Sequence, residues 1–496
     1  TRFTEVTGYS PVMLPGMTPT TVDPEIVAAA ANAGHWAELA GGGQHTEDIL
    51  DQNLERLARL LAPGVNAQFN ALYLSASQWR RQIEGQRAIP RARAAGAPLN
   101  GVVISAGIPP HEEACDLVRR LHAENIPWVA FKPGTVEQIK QVLAIARAVS
   151  TTLIMQVEGG KAGGHHSAED LEELLAATYD DIRRHPNVLL AVGGGIATPA
   201  QGAEYLTGEW SRRRGLPAAP VDAIMIGTAA MATAESTASA SVKQALVAAT
   251  EDDVTSGRSD LGASIHELDN SFAHAGRLLD AVAGDEELVS AHREEIAAAL
   301  AQTCKPYFGD LDAMSYAEWL RRYVELSFHD GWTDESWCTR FEKMVARAEA
   351  RLHDVDHGEI ALQVTVDAAD PAAAIDELVE LYGDAALHPT DAAWFVSLLD
   401  GPGKPPGFVP IIDAAVRRRF RQDSLWQAHD EHFDADSVCI IPGTAGVEGI
   451  EYANEPVAQL LKRFEQATID LLSAAPTPDL DAPAPTAEEL LRRAPC

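Results

Sequence analysis

The first 250 residues of the sequence predict a TIM barrel, a closed barrel of eight parallel strands that are each followed by a helix. Three observations lead to this prediction. Short apolar runs alternate with helical stretches, the alternation occurs eight times, and the repeat is roughly 30 residues long. A doubly wound open sheet is the competing interpretation, but no G-x-G-x-x-G follows the first strand with an acidic residue about 20 positions further on.

The eight units can be taken in order along the chain. Each strand is an apolar run that ends in glycine or a polar residue, and each helix has mixed apolar and charged residues. The predicted strands are VMLPG (12–16), HWAELAGGG (35–43), VNAQFNALYL (65–74), GVVISAG (101–107), IPWVAFKPG (126–134), TTLIMQVEGG (151–160), VLLAVGGGI (188–196) and VDAIMIGTA (221–229). The predicted helices lie within 23–34, 46–61, 77–96, 111–125, 136–150, 168–178, 198–210 and 234–249.

The sixth unit, TTLIMQVEGGKAGGHHSAED (151–170), contains the densest group of unusual residues. Its four glycines lack a β-carbon, so the backbone there can approach a flat or phosphorylated ligand closely. Such a loop could direct His165 or His166 toward the ligand. A flexible turn with two solvated histidines is the other interpretation, and the motif alone does not exclude it.

Residues with special chemistry recur where the other predicted strands end. They are Gly16-Met17-Thr18, Gly41–Gly43, Asn70, Gly107, Lys132–Gly134, Gly193–Gly195 and Gly227-Thr228. The C-terminal ends of the strands form the active face of a TIM barrel, and the loops after strands 7 and 8 commonly bind phosphate. VGGGI and IGTA occupy those two positions, so we predict a phosphate site there.

Charge and cysteine content limit the possible functions. The chain has 39 Lys and Arg against 72 Asp and Glu, a net charge of −33, which disfavours nucleic-acid binding. No apolar run reaches 18 residues, so we expect neither a membrane span nor secretion. The five cysteines show no C-x-x-C spacing, which predicts neither a zinc site nor disulfides and favours a cytoplasmic location.

Beyond residue 250 the strand and helix alternation stops. We predict three domains: a TIM barrel at 1–250, a helical subdomain at 251–352, and a small mixed structural or linker region at 353–496. The start at Thr1 without Met and the Pro/Ala-rich tail indicate a piece of a longer chain.

Several of these motifs together resemble a known family. LPGMTPTTV, HWAELAGGG, VAFKPGTVEQI, QVEGGKAGGHHSAED, VGGGI and IGTAAMAT resemble the enoyl reductase domain of the type I fatty acid synthases of fungi and actinobacteria. The later KPPGFVPIID, RRRFRQDSLWQ and CIIPGTAG resemble the region that follows this domain. The resemblance covers nearly the whole chain.

The resemblance implies an FMN-binding barrel that uses NADPH or NADH to reduce trans-2-enoyl thioesters on an acyl carrier protein, within a homo-oligomeric synthase whose other domains are its partners. His165 matches the active-site histidine, and His166 is a neighbouring catalytic candidate. The positions that match flavin-lining residues are Gly16, Met17, Thr18, Asn70, Lys132 and Gln156; Gly159, Gly160 and Gly164 match the adjacent loop; Gly193, Gly194, Gly195, Gly227 and Thr228 match the FMN phosphate loops.

The chemistry of these residue types agrees with the resemblance. A lysine such as Lys132 stabilises negative charge on a reduced flavin, and a histidine can hydrogen-bond or protonate an enolate-like thioester. Water could supply the proton instead. Fungal members carry Arg with further glycines where this chain has Lys161-Ala162, which leaves the choice of nicotinamide open. A nitronate monooxygenase-like flavoprotein and a non-catalytic scaffold segment are the alternative functions.

Overall fold

The computed structural model describes residues 1–259, 263–329, 333–353 and 363–474. Its strands, in chain order, are β1 (Ser10–Leu14), β2 (His35–Ala40), β3 (Ala67–Leu72), β4 (Leu99–Ser105), β5 (Trp128–Phe131), β6 (Leu153–Glu158), β7 (Gly164–His165), β8 (Val188–Gly193), β9 (Ala223–Met225), β10 (Val254–Arg258) and β11 (Ser264–Leu268). Parallel pairing closes β1–β6, β8 and β9 into one barrel. The predicted TIM barrel is therefore confirmed, and each of the eight predicted strands coincides with one barrel strand.

The helices surround this barrel and continue beyond it. In chain order they are α1 (Arg2–Thr7), α2 (Pro24–Asn32), α3 (Glu47–Leu60), α4 (Ala76–Trp79), α5 (Ala88–Ala94), α6 (His111–Ala123), α7 (Val136–Ala148), α8 (Leu171–Arg183), α9 (Pro199–Thr207), α10 (Glu209–Arg213), α11 (Ala240–Ala248), α12 (Ser271–Val282), α13 (Glu286–Ala291), α14 (Arg293–Leu300), α15 (Tyr316–Ser327), α16 (Glu335–Leu352), α17 (Pro371–Tyr382), α18 (Pro389–Leu399), α19 (Val416–Arg421) and α20 (Val457–Ala474). Within the described ranges, no helix is both long enough and apolar enough to span a bilayer.

Two sequence-based expectations about local structure need correction. The helical stretch predicted at 77–96 is broken into α4, a π-helical turn at Arg80–Glu84 and α5, because Gly85 and the left-handed Arg87 (φ 56°) interrupt the helical backbone. Residues 251–352 are also not purely helical. β10 and β11 form an antiparallel hairpin there, and β7 pairs with β11 as the third strand of that small sheet.

The hydrophobic packing divides the chain into two large cores. One core joins the barrel to α12, α14, α19 and α20, and the other lies among α15–α18. Phe464 of α20, for example, lies against Gly202 of α9, where an added Cβ would be 2.9 Å from the phenylalanine ring. The domain boundaries after residues 250 and 352 stay a prediction, and the two cores group the residues differently.

Inside the barrel, a third cluster of buried apolar side chains fills the space between the strands. Its members include Met13 of β1, Trp36 of β2, Val103 of β4, Ala130 of β5 and Ile154 of β6. Phe3 of α1 belongs to the same cluster and packs edge-to-face on Trp36. Because side chains alternate along a strand, residues two positions further on point into the barrel at a higher level.

Candidate functional site

A layer of polar side chains lies directly above the apolar layer of the barrel. Glu38, Lys132 and Gln156 each follow an interior residue by two positions, after Trp36, Ala130 and Ile154. Asn70 of β3 joins them, and Ser105 follows Val103 in the same way. Polar groups in a barrel interior need partners or a ligand, because burial without hydrogen bonds is unfavourable. This layer, at the C-terminal ends of the strands, is the candidate active site.

Glu38 is the centre of this layer and is 0% exposed. Its Oε2 accepts from the backbone N–H of Gly16 (2.7 Å) and from Nδ2 of Asn70 (2.8 Å). Its Oε1 accepts from Nε1 of Trp36 (2.8 Å) and from Nε2 of Gln156 (2.6 Å). Four donors therefore compensate the burial of one carboxylate.

Lys132 supplies the positive charge of the site. Its Nζ lies 2.9 Å from Oε2 of Glu158, and its side chain is 14% exposed. Burial opposes the charged ammonium group, but the attraction of Glu158 and Glu38 outweighs burial, so that the pKa of Lys132 is raised. The site thus holds a cation among two carboxylates.

The predicted phosphate loops follow two paired strands, β8 and β9, and are flanked by the loops after β6 and β1. The N–H of Gly159 donates to the carbonyl of Gly193 over 3.0 Å. Gly194 and Gly195 adopt φ of 84° and 116°, a left-handed conformation that only glycine adopts readily. A Cβ on Gly227 would lie 3.2 Å from Sδ of Met17, which places the loop after β9 against the loop after β1.

A distant stretch, Ile440–Gly446, packs over these loops, and we call it the IIPGTAG segment. The N–H of Gly443 donates to Oγ1 of Thr228 over 2.9 Å. A Cβ on Gly443 would lie 2.5 Å from the carbonyl oxygen of Lys161, and one on Gly163 would lie 2.6 Å from that of Ile441. The glycines on both sides therefore permit close backbone contact between this segment and the GGKAGGHH loop.

The two predicted histidines lie in and beside β7. His165 is exposed and pairs with Ile265 of β11. His166 stacks on His266, with ring centroids 3.8 Å apart, and its Nδ1 lies 2.8 Å from the carbonyl oxygen of Ser167. Nε2 of His166 is buried without a hydrogen-bond partner in the described part of the chain. Burial lowers the pKa of His266, which contacts the carbonyl of Ala162.

The remaining predicted residues occupy supporting positions. Thr18 packs against Gly42, because a Cβ added to Gly42 would lie 2.3 Å from Oγ1 of Thr18. Gly160 donates to the carbonyl of Glu169, and Gly164 (φ 62°) lies beside the side chain of Ile441. A cavity of about 750 Å³ between Trp79 and Arg120 is lined by none of the predicted residues.

Sequence reasoning missed four parts of this site. They are Glu38, Glu158, His266 and the contact made by the IIPGTAG segment. A signal existed for Glu38, because it is the one acidic residue in the apolar run HWAELA. His266 and the IIPGTAG segment had none, since their proximity to the loop depends on long-range packing.

This chain is similar to known proteins both in sequence and in fold. The family model described as "Fatty acid synthase subunit beta/Fas1-like, helical" matches residues 152–461. The fatty acid synthase subunit beta of Gibberella zeae is 33% identical over 95% of this chain and 24% of its own length. The enoyl reductase domain of MlnA from Bacillus amyloliquefaciens has a similar fold, with a TM-score of 0.55 at 12% identity over 95% of this chain and 97% of that one. FabK from Thermotoga maritima gives a TM-score of 0.51 at 14% identity, again over 95% and 97%.

The fold and the mouth define the class of this protein: a TIM-barrel protein with a polar, charged site at the C-terminal ends of its strands and a helical C-terminal region. The chain belongs to the fatty acid synthase subunit beta/Fas1-like family. It spans about a quarter of the length of the curated relatives that it matches.

Proposed function

We propose that this part of a fatty acid synthase beta subunit is an FMN-dependent enoyl reductase. It reduces trans-2-enoyl thioesters to saturated acyl thioesters with hydride from NADPH or NADH. The observation that carries the proposal is the polar layer at the barrel mouth, where Lys132 and Gln156 lie beside glycine loops. Family membership and the barrel shared with enoyl reductases support it.

The residues present fit FMN. Oε1 of Gln156 is buried without a hydrogen-bond partner in the described part of the chain, so it offers an acceptor to an N–H donor such as the imide of a flavin ring. The left-handed Gly194 and Gly195 suit a phosphate, because successive glycine N–H groups form anion-binding concavities. Thr228 adds a hydroxyl on the adjacent loop.

FMN, when bound, would supply the capacity to take hydride from a nicotinamide and pass it to the β-carbon of the enoyl group. Lys132 would stabilise negative charge that develops near the ring, since it stays protonated in a site that excludes most water. Glu158 holds the ammonium group of Lys132 in place. The glycine loops and the IIPGTAG segment would close the phosphate end.

His165 is the proposed group at the thioester. It is exposed next to the glycine loop, where it can donate a hydrogen bond to the carbonyl oxygen of the substrate or a proton to the α-carbon. His166 is held by its stacking on His266 and its contact with Ser167. We therefore assign His166 to positioning the loop rather than to proton transfer.

Family membership supports a proposal about the partners. We infer that the enoyl group arrives on an acyl carrier protein domain of the same synthase, and that the intact synthase is a cytoplasmic homo-oligomer. Neither nucleic acid nor membrane has a part in this proposal, in agreement with the net charge of −33.

The test is steady-state oxidation of NADPH and NADH by the purified protein supplied with FMN and crotonyl pantetheine thioester. We expect nicotinamide oxidation that depends on both FMN and the thioester, with one mole of butyryl thioester formed per mole oxidised. Oxygen consumption coupled to loss of a nitroalkane, without thioester reduction, would instead favour the nitronate monooxygenase-like function. A protein that fails to take up FMN would favour the scaffold function.

A further inference from the structure

The proposed reaction gives no role to Glu38, although Glu38 lies at the centre of the polar layer. It does not line an open surface, since it is 0% exposed, yet it contacts three of the groups predicted to touch the flavin: the N–H of Gly16 and the amides of Asn70 and Gln156. Replacing this carboxylate alone by an apolar side chain would leave four buried donors, one backbone N–H and three side-chain N–H groups, without partners.

A carboxylate is acceptor-only, and this property fixes the orientation of both amides. Only the NH₂ groups of Asn70 and Gln156 can face Glu38, so their oxygens must point elsewhere. Oδ1 of Asn70 accepts from the hydroxyl of Ser105 over 2.6 Å. Oε1 of Gln156 is the one that is left buried without a partner in the described part of the chain.

We propose that Glu38 is the positioning residue of the flavin site, an inference that rests on the proposed function. It locks Gln156 so that the carbonyl oxygen of its side chain faces the flavin imide, and its negative charge disfavours the electron-rich reduced flavin. Lys132, attracted by the same carboxylate and by Glu158, opposes that charge. Glu38 would therefore act through its neighbours on both the affinity for FMN and its reduction potential.

The Glu38→Gln variant keeps the shape of the side chain but replaces one acceptor by a donor. We expect the Kd for FMN, measured by fluorescence quenching, to rise about tenfold or more, because one buried donor then faces another. The midpoint potential of the bound flavin should become more positive. The control is Asp222→Asn, which removes a buried carboxylate from the opposite end of the barrel, where it pairs with Arg183. The control should change neither quantity in its folded form.

The outcomes separate the two proposals. Wild-type protein that binds no FMN overturns the proposed function and this inference with it. Wild-type protein that binds FMN, with Glu38→Gln binding within twofold and at the same potential, overturns this inference alone. If Glu38→Gln does not fold, a double-mutant cycle of Asn70→Ala and Gln156→Ala decides: coupling through the shared carboxylate gives losses of FMN affinity that are not additive, and additive losses overturn the inference.

Discussion

The N–H of Gly443 donates to the side-chain oxygen of Thr228 over 2.9 Å, across a sequence separation of 215 residues. This bond joins the IIPGTAG segment to the loop after β9. The IIPGTAG segment therefore lies against one of the loops of the proposed phosphate site. The strength of FMN binding should therefore respond to changes far from the barrel in sequence.

The first prediction concerns Gly446, whose added Cβ would lie 2.6 Å from the side chain of Thr228. We expect Gly446→Ala to displace Thr228 and to weaken FMN binding by roughly tenfold. Gly407→Ala is the matched control, since its nearest neighbour would be 3.8 Å away. Equal FMN affinity of both variants in a fluorescence titration would show that the segment has no part in the phosphate site.

The second prediction concerns the charge of Lys132. Lys132→Met should shift the midpoint potential of the bound flavin to a more negative value, because the cation that stabilises the reduced form is lost. Lys132→Arg should restore most of the shift. Lys140→Met, on the exposed face of α7, is the control. A redox titration that gives one potential for all four proteins would contradict the assigned role of Lys132.

The third prediction separates the two adjacent histidines. His165→Asn should lower kcat for enoyl thioester reduction about 100-fold, the lower end of general acid catalysis, with the rate of flavin reduction by NADPH unchanged. His166→Asn should affect both half-reactions, since it loosens the loop. A wild-type kcat for His165→Asn would contradict the role of His165 as proton donor, as expected if water supplies the proton.

The fourth prediction is a pH dependence that arises from His266. Burial lowers the pKa of His266 from its ordinary value of 6.5, and neighbouring His166 lowers it further, while the contact with Ala162 opposes the shift. The unfolded chain then binds a proton more readily than the folded protein. The contribution of His266 to stability is therefore present above about pH 6.5 and is lost as the pH falls.

This dependence can be measured as the difference in melting temperature between wild type and His266→Gln. We expect the difference to shrink between pH 7.5 and pH 5. The control is His274→Gln, which substitutes a histidine in the following helix, α12, and should follow the wild-type profile. A difference that stays constant with pH would show that the stacked pair does not carry this linkage.

The strands of the barrel could be read from the sequence because they are buried on both faces. Runs such as VVIS and LIMQV have no competing helical pattern, and the glycines that end them mark the C-terminal rim. Asn70 and Lys132 were predicted for that reason, whereas Gln156 was predicted from the family resemblance alone; the structure places all three in one layer with Glu38.

Most of the features that the sequence did not predict depend on contacts between segments far apart in the chain. Nothing in the neighbourhood of His266 indicates that it will stack on His166, 100 residues earlier in the sequence. The hairpin of β10 and β11 was missed because its strands, VTSGR and SIHEL, are five residues each and contain only three strongly apolar residues between them, so they lack the apolar runs that marked the barrel strands. Glu38 was overlooked because a charge in a buried strand was read as part of the apolar run.

The central claim, that a flavin at the mouth of this barrel carries hydride to an enoyl thioester, is tested most directly by the visible absorption spectrum under anaerobic conditions. We expect the protein with FMN to lose its flavin absorbance when NADPH or NADH is added, and to regain it when crotonyl pantetheine thioester follows. Absorbance that is lost with the nicotinamide but does not return with the thioester, while oxygen restores it, would contradict the account.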